Sequence, residues 1–148
     1  EQIPDATHPI SANGEIDFWI ESRITIGLIR SCALGMTGHK DEAFAVLEDT
    51  ISLIEKAMLI NEPTLLKCSS TWLKDMEWTA QRMPANETFS EHIWLFHETG
   101  LTFFVAPNVY YDILVNCKGY DERFKWFESL KDDPRYIGYI ERLSKLVK

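Results

Sequence analysis

Apolar positions recur at helical spacing from Ile16 to Ile60, and the pattern breaks once, at Thr37-Gly38-His39-Lys40-Asp41. This predicts two helices folded back on each other. The first is expected over about 15–37. Ile16, Ile20, Ile24, Gly27 and Ser31 make one stripe, and Trp19, Ile26, Ile29 and Ala33 make another. Gly27, Ser31, Ala33 and Gly35 are small enough to let a second helix come close. Gly38 is expected to stop the helix with a positive φ. The second helix opens at Asp41 or with the turn Lys40-Asp41-Glu42, where acids suit the dipole. Phe44, Leu47, Ile51, Ile54 and Met58 form one apolar stripe beside Ala43, Val46, Leu53, Ala57 and Ile60. Ala45, Glu48, Asp49, Ser52, Glu55 and Lys56 are left for water. A face this wide packs on more than one neighbour. Pro63 ends the helix.

The pattern elsewhere is weaker. Residues 1–14 hold Pro4, Pro9 and Asn13-Gly14, the chemistry of an extended lead-in. Over 61–91 no period is convincing, and Trp72, Met76 and Trp78 stand among polar residues. Met83-Pro84-Ala85-Asn86 reads as a turn. From 92 to 106, aromatic and β-branched residues flank Glu98-Thr99-Gly100, a hairpin signal. A buried helix is the alternative there, and Gly100 in its middle counts against it. Pro107 opens a helix to about Cys117 that turns Val109, Tyr110, Ile113 and Leu114 inward and closes at Gly119. A short helix is expected from Asp121 to about Leu130, with Phe124 and Phe127 on one side. The last helix has Asp133 as its cap and Pro134 at its first position, with a stripe of Ile137, Ile140, Leu143 and Val147.

The fold class expected is therefore mostly α, in a single domain. An extended lead-in covers 1–14 and a helical hairpin 15–61. An irregular stretch with a small β-hairpin insertion covers 62–106, and C-terminal helices cover 107–148. The first residue is Glu1, so the chain reads as a fragment of a longer protein.

Composition narrows the functional classes. A 148-residue chain with 45% hydrophobic residues can bury one core, which argues against disorder. A net charge of −8 repels phosphate backbones, so no direct nucleic-acid binding by this segment is expected. The densest basic group, Arg142, Lys145 and Lys148, suits the negative end of the last helix. Cys32, Cys68 and Cys117 show no CxxC spacing, which argues against a disulfide framework or a structural zinc site. Reduced thiols imply a cytoplasmic location. No run approaches the ~20 apolar residues of a membrane helix, so no membrane is expected as a partner.

Three chemistries can be weighed. Glu91, His92, His97 and Glu98 offer an acid/base or metal set, but the histidines are spaced i, i+5. That is not the i, i+4 spacing of a helical zinc motif, and no metal or other cofactor is expected. No Gly-x-Ser-x-Gly elbow or phosphate-cradling glycine loop is present, so no catalytic residue is named. The third is aromatic: Trp72, Trp78, Trp94, Phe96, Phe103, Phe104, Tyr110, Tyr111, Trp126 and Phe127. These either fill the core or line a groove for a partner. Trp94, Phe104, Tyr111 and Trp126 are the candidates for such a surface.

The segment Gly38-His39-Lys40-Asp41-Glu42-Ala43-Phe44-Ala45-Val46-Leu47 resembles the middle of a tetratricopeptide repeat. Ser31 and Leu34 fall where the repeat has a small residue and an aromatic. Gly27 stands in place of a bulky residue, and Glu55 in place of the closing proline. Asp17-Phe18-Trp19-Ile20-Glu21-Ser22, Ala33-Leu34-Gly35, Trp126-Phe127 and Asp132-Asp133-Pro134-Arg135-Tyr136 are together similar to the C-terminal regions of bacterial helix-turn-helix regulators of the Xre (Cro/CI-like) type. The resemblance implies a regulatory, effector-sensing or protein-interaction domain of a bacterial transcriptional regulator, with the DNA-binding part outside this chain. Its partners would be a peptide, a small effector, a protein or a second copy forming a homodimer. The alternative from another class is a small-molecule-binding enzyme domain using His92, His97 and the nearby carboxylates.

Overall fold

The computed structural model describes residues 20–59, 64–67, 77–82, 93–96, 101–117 and 125–147, with side chains for 20–59, 105–117 and 125–147. Among these, helices of 17, 19, 10 and 11 residues outweigh strands of four to six, so the fold is mostly helical. The helices are α1 (Ile20–Met36), α2 (Lys40–Met58), α3 (Pro107–Asn116) and α4 (Pro134–Ser144). The strands are β1 (Thr64–Lys67), β2 (Glu77–Arg82), β3 (Ile93–Phe96) and β4 (Leu101–Phe104). The chain divides into two compact units: Glu1–Ile24 with Lys56–Val105, and Thr25–Glu55 with Ala106–Lys148.

The first unit holds a four-stranded sheet in the order β1-β2-β3-β4, with each neighbouring pair antiparallel. β3 and β4 occupy the stretch read as a hairpin, with Ile93 opposite Phe104 and Phe96 opposite Leu101. The Gly100 turn lies outside the described residues. β1 and β2 correct the reading of 61–91 as patternless. Thr64-Leu65-Leu66-Lys67 does not alternate, and Glu77-Trp78-Thr79-Ala80-Gln81-Arg82 alternates with only Trp78 and Ala80 as apolar positions, so pairing with a neighbouring strand rather than the local pattern defines both. The Met83–Asn86 turn, Trp72 and Pro63 lie outside the described residues.

The second unit is built on the hairpin of α1 and α2. Gly38 has φ 85°, and the chain turns there in a Schellman arrangement. The His39 amide donates to Leu34 O at 2.9 Å, and the Gly38 amide to Gly35 O at 3.3 Å. His39 O then accepts from the Ala43 amide at 2.9 Å, which opens α2. Small residues bring the two helices together. The Ser31 hydroxyl donates to Ala43 O at 2.8 Å, and a Cβ placed on Gly27 would collide with the Thr50 side chain. The other two small residues do different jobs. Gly35 admits the Leu130 and Ser129 side chains, each 2.9 Å from where its Cβ would stand, and Ala33 is exposed.

Burial corrects the second stripe of α1. Leu28, Ser31 and Cys32 are inside, whereas Ile26 and Ile29 lie at the surface. One side of α1 is enough to meet its neighbours, so the other remains in water. On α2, Ala43, Phe44, Leu47, Ile51, Leu53 and Ile54 are all buried, as a face with two neighbours requires.

Two C-terminal expectations are also corrected. α3 closes at Cys117, which takes the left-handed conformation (φ 52°); Gly119 lies outside the described residues. The Cys117 thiol donates to Leu114 O at 3.7 Å, satisfying one of the carbonyls a helix end leaves open. Residues 126–132 form successive turns rather than a helix. Phe127 there has φ 63°, a conformation that a bulky residue holds only when packing demands it, and its ring is fully buried.

α4 begins as read, with the Asp133 carboxylate accepting from the Arg135 amide at 3.0 Å and Pro134 in the first turn. Its buried face runs through Tyr136 and Leu143, while Ile137 is exposed. Tyr136 wins the inner position because its ring fills the core and its hydroxyl has an acceptor there, Leu114 O at 2.6 Å.

Candidate functional site

α2 carries Asp41, Glu48 and Glu55 at seven-residue steps, which places them along one side of the helix. α4 answers with Arg135 and Arg142, also seven apart. Arg135 Nη1 donates to Asp41 at 2.8 Å and its Nη2 to Asp133 at 3.0 Å. Arg142 binds Glu48 and Glu55, and its Nη2 donates to the Ser52 hydroxyl at 3.1 Å. Early residues of α4 thus meet early residues of α2, and later meet later, so the two helices run in the same direction.

Aromatic rings lie between the charges. Phe44 and Tyr139 stack with centroids 6.0 Å apart and planes 15° from parallel. The Arg135 guanidinium sits 4.2 Å above the Phe44 ring, and Arg142 lies 5.7 Å from the Tyr139 ring. Arg142 was read as a complement to its own helix end. Its carboxylate partners on α2 give it a stronger role, because charge-assisted hydrogen bonds exceed a dipole contact.

The charges shift as these contacts dictate. The Arg135 side chain and amide both hydrogen-bond Asp133 and lower its pKa from 3.8 to about 2. Hydrogen bonds to Asp133 and Asp41 hold Arg135 further toward its charged form, and Glu55 does the same for Arg142. Burial pushes the Tyr136 hydroxyl and the Cys117 thiol up, so both stay protonated and serve as donors to Leu114 O. These contacts tie α4 to α2 and to the end of α3.

The nominated surface residues fall in different places. Trp94 is in β3 and Phe104 in β4, and their side chains lie outside the described residues. The register sets Trp94 opposite Phe103 and Ile93 opposite Phe104, so the two positions alternate across the pleat. Tyr111 on α3 and Trp126 in the turn segment are both half-buried. Trp126 meets the Phe127 ring edge-on at 6.4 Å. By contrast, Phe44, Tyr110, Phe127 and Tyr136 in the same unit are buried.

Glu91, His92, His97 and Glu98 lie outside the described residues. Among those described, no group of three or more His, Cys, Asp or Glu is placed to hold a metal. No helix there is long and apolar enough to cross a membrane. Sequence reasoning missed the α2–α4 contact, although two signals were available: acids at 41, 48 and 55 and arginines at 135 and 142 share one period.

Compared with protein-family models, curated proteins and solved structures, the chain matches none.

Proposed function

We propose that the chain is a regulatory, effector-sensing or protein-interaction domain of a bacterial transcriptional regulator. In this reading it is non-enzymatic, and DNA is bound by another part of the same polypeptide. Tetratricopeptide-like character and a cytoplasmic location belong to the same proposal. One observation carries it: Tyr111 and Trp126 are half-buried, whereas among the described aromatic residues of the same unit Phe44, Tyr110, Phe127 and Tyr136 are buried and half-buried Tyr139 is stacked on Phe44. Half-exposed Tyr and Trp are favoured anchors for a partner, because each offers a large rigid area with one polar atom. Stacked helices suit that role, since helical-repeat proteins present their open helix faces to ligands. The acidic charge fits a domain that leaves DNA to another part of the protein.

The test is made on the full-length protein. Reading the coding sequence upstream of Glu1 should reveal a helix-turn-helix; its absence removes the regulator reading. Where it is found, Tyr111→Ala with Trp126→Ala should leave basal DNA affinity unchanged and abolish the response to the effector or partner. An unaltered response would move the binding surface elsewhere.

A further inference from the structure

Among the described residues, the outer side of α1 carries an exposed apolar stripe, whose one recorded polar contact is the Cys32 thiol donating to Met36 Sδ at 3.9 Å. Ile26, Ile29 and Met36 are 38%, 47% and 67% exposed, and Ala33 between them is exposed as well. Their steps of three, four and three residues match the seam through which one helix grips another. The opposite side of the same turns, through Leu28, Ser31, Cys32 and Gly35, is buried. Over residues 25–36 the helix holds a single charged side chain, Arg30. It is exposed and flanks the stripe.

We propose that the Ile26–Ile29–Ala33–Met36 stripe of α1 docks an amphipathic helix of another protein that carries a carboxylate opposite Arg30. The proposal rests on the interaction-domain reading and names the partner's chemistry. Charge selects this occupant. A cation beside an apolar contact favours a partner that sets an opposite charge against it and disfavours one that brings a like charge. A second copy of α1 offers no carboxylate over the same residues, and an antiparallel two-fold pairing centred on the stripe brings the two Arg30 side chains together. Only a partner with an acid in that place both covers the apolar side chains and neutralises Arg30. A patch this small belongs with transient interfaces, where charge governs choice of partner more than strength.

An Arg30→Glu variant of this chain supplies the probe, since it presents the same apolar stripe with a carboxylate beside it. Sedimentation velocity would compare wild type, Arg30→Glu and their equimolar mixture across a range of concentrations. The expected result is association in the mixture at loadings where each parent is monomeric, weakening as salt is raised. Ile29→Asp in the wild-type partner should weaken the mixture by about tenfold or more, the loss expected for removing one apolar anchor. Mixing wild type with Arg30→Gln should leave monomers.

A mixture that sediments as the average of its parents overturns the proposal. So does wild type that dimerises alone as readily as the mixture, which makes the stripe a self-association face. Equal association with Arg30→Gln removes the requirement for an acid. Both positions are exposed, and circular dichroism would confirm that each variant keeps its helices. Failure here removes α1 as the docking face. The interaction-domain reading is judged separately, at Tyr111 and Trp126 in the full-length protein.

Discussion

α2 meets α1 and α4 by opposite means. Against α1 the contact is made of small groups: Gly27 against Thr50, and the Ser31 hydroxyl on Ala43 O. Against α4 it is made of long ones: Arg135 and Arg142 reach across to Asp41, Glu48 and Glu55 over a Phe44–Tyr139 stack. Close approach leaves no room to adjust, so the first contact depends on shape. The second spans its gap with flexible, part-exposed side chains, so it depends on charge and tolerates change. The same helix therefore has one rigid side and one forgiving side.

The largest effect is expected on the rigid side. Gly27→Ala should destabilise by about 1–3 kcal/mol, because overpacking a tight contact outweighs the gain in helix propensity. Chemical denaturation would measure it. Thr50→Ala in the same chain should recover much of the loss, since it removes the atoms in the way. If the double variant is no more stable than Gly27→Ala, the collision is not the cause.

Next comes the contact between α3 and α4. Tyr136→Phe removes a buried donor from Leu114 O and should cost about 1 kcal/mol in thermal or denaturant unfolding. The loss is limited because the Cys117 thiol still donates to that carbonyl. Adding Cys117→Ala should therefore cost more in the Tyr136→Phe background than in wild type.

The charged side should respond less. Arg142→Met keeps much of the side chain's length and removes its ion pairs; a loss of about 0.5–1 kcal/mol is expected, near the upper end for surface pairs. The difference from wild type should shrink at high salt. Gly27→Ala should show no such salt dependence, and that contrast is the sharpest check on the two kinds of contact.

The smallest effect is a pH dependence at Asp133. Its pKa is lowered on folding, so its contribution is complete above the ordinary value of 3.8. It is lost as pH falls toward about 2. Melting temperatures of wild type and Asp133→Asn should differ at neutral pH and converge at the acid end. Convergence already at pH 5 would contradict the assigned partner, Arg135.

Much of the helical framework was readable from sequence because its signals are local. Gly38 needs a positive φ, Asp133 and Pro134 make a cap, and the α2 stripes repeat at one helical period. β1 and β2 were not readable, because a strand of four or six residues is defined by the neighbour it pairs with. The turn at 126–132 was missed because Phe127 takes a backbone shape that its own propensity disfavours. Of the surface candidates, Tyr111 and Trp126 could be named from composition. Their partial exposure could not, since exposure depends on what packs around each ring.

The sequence by itself determined where the long helices run, where the hairpin turns, and that α2 needs two neighbours. Those features follow from interactions within a few residues. Tertiary structure decided which side of α1 and α4 goes inside, and that the acids of α2 meet arginines about 90 residues away. It also decided that Gly35 receives Leu130 instead of α2. Apolar periodicity marks the faces able to be buried, but a helix has more such surface than its neighbours cover. Only packing chooses among them, and on α1 it left Ile26, Ile29 and Met36 outside.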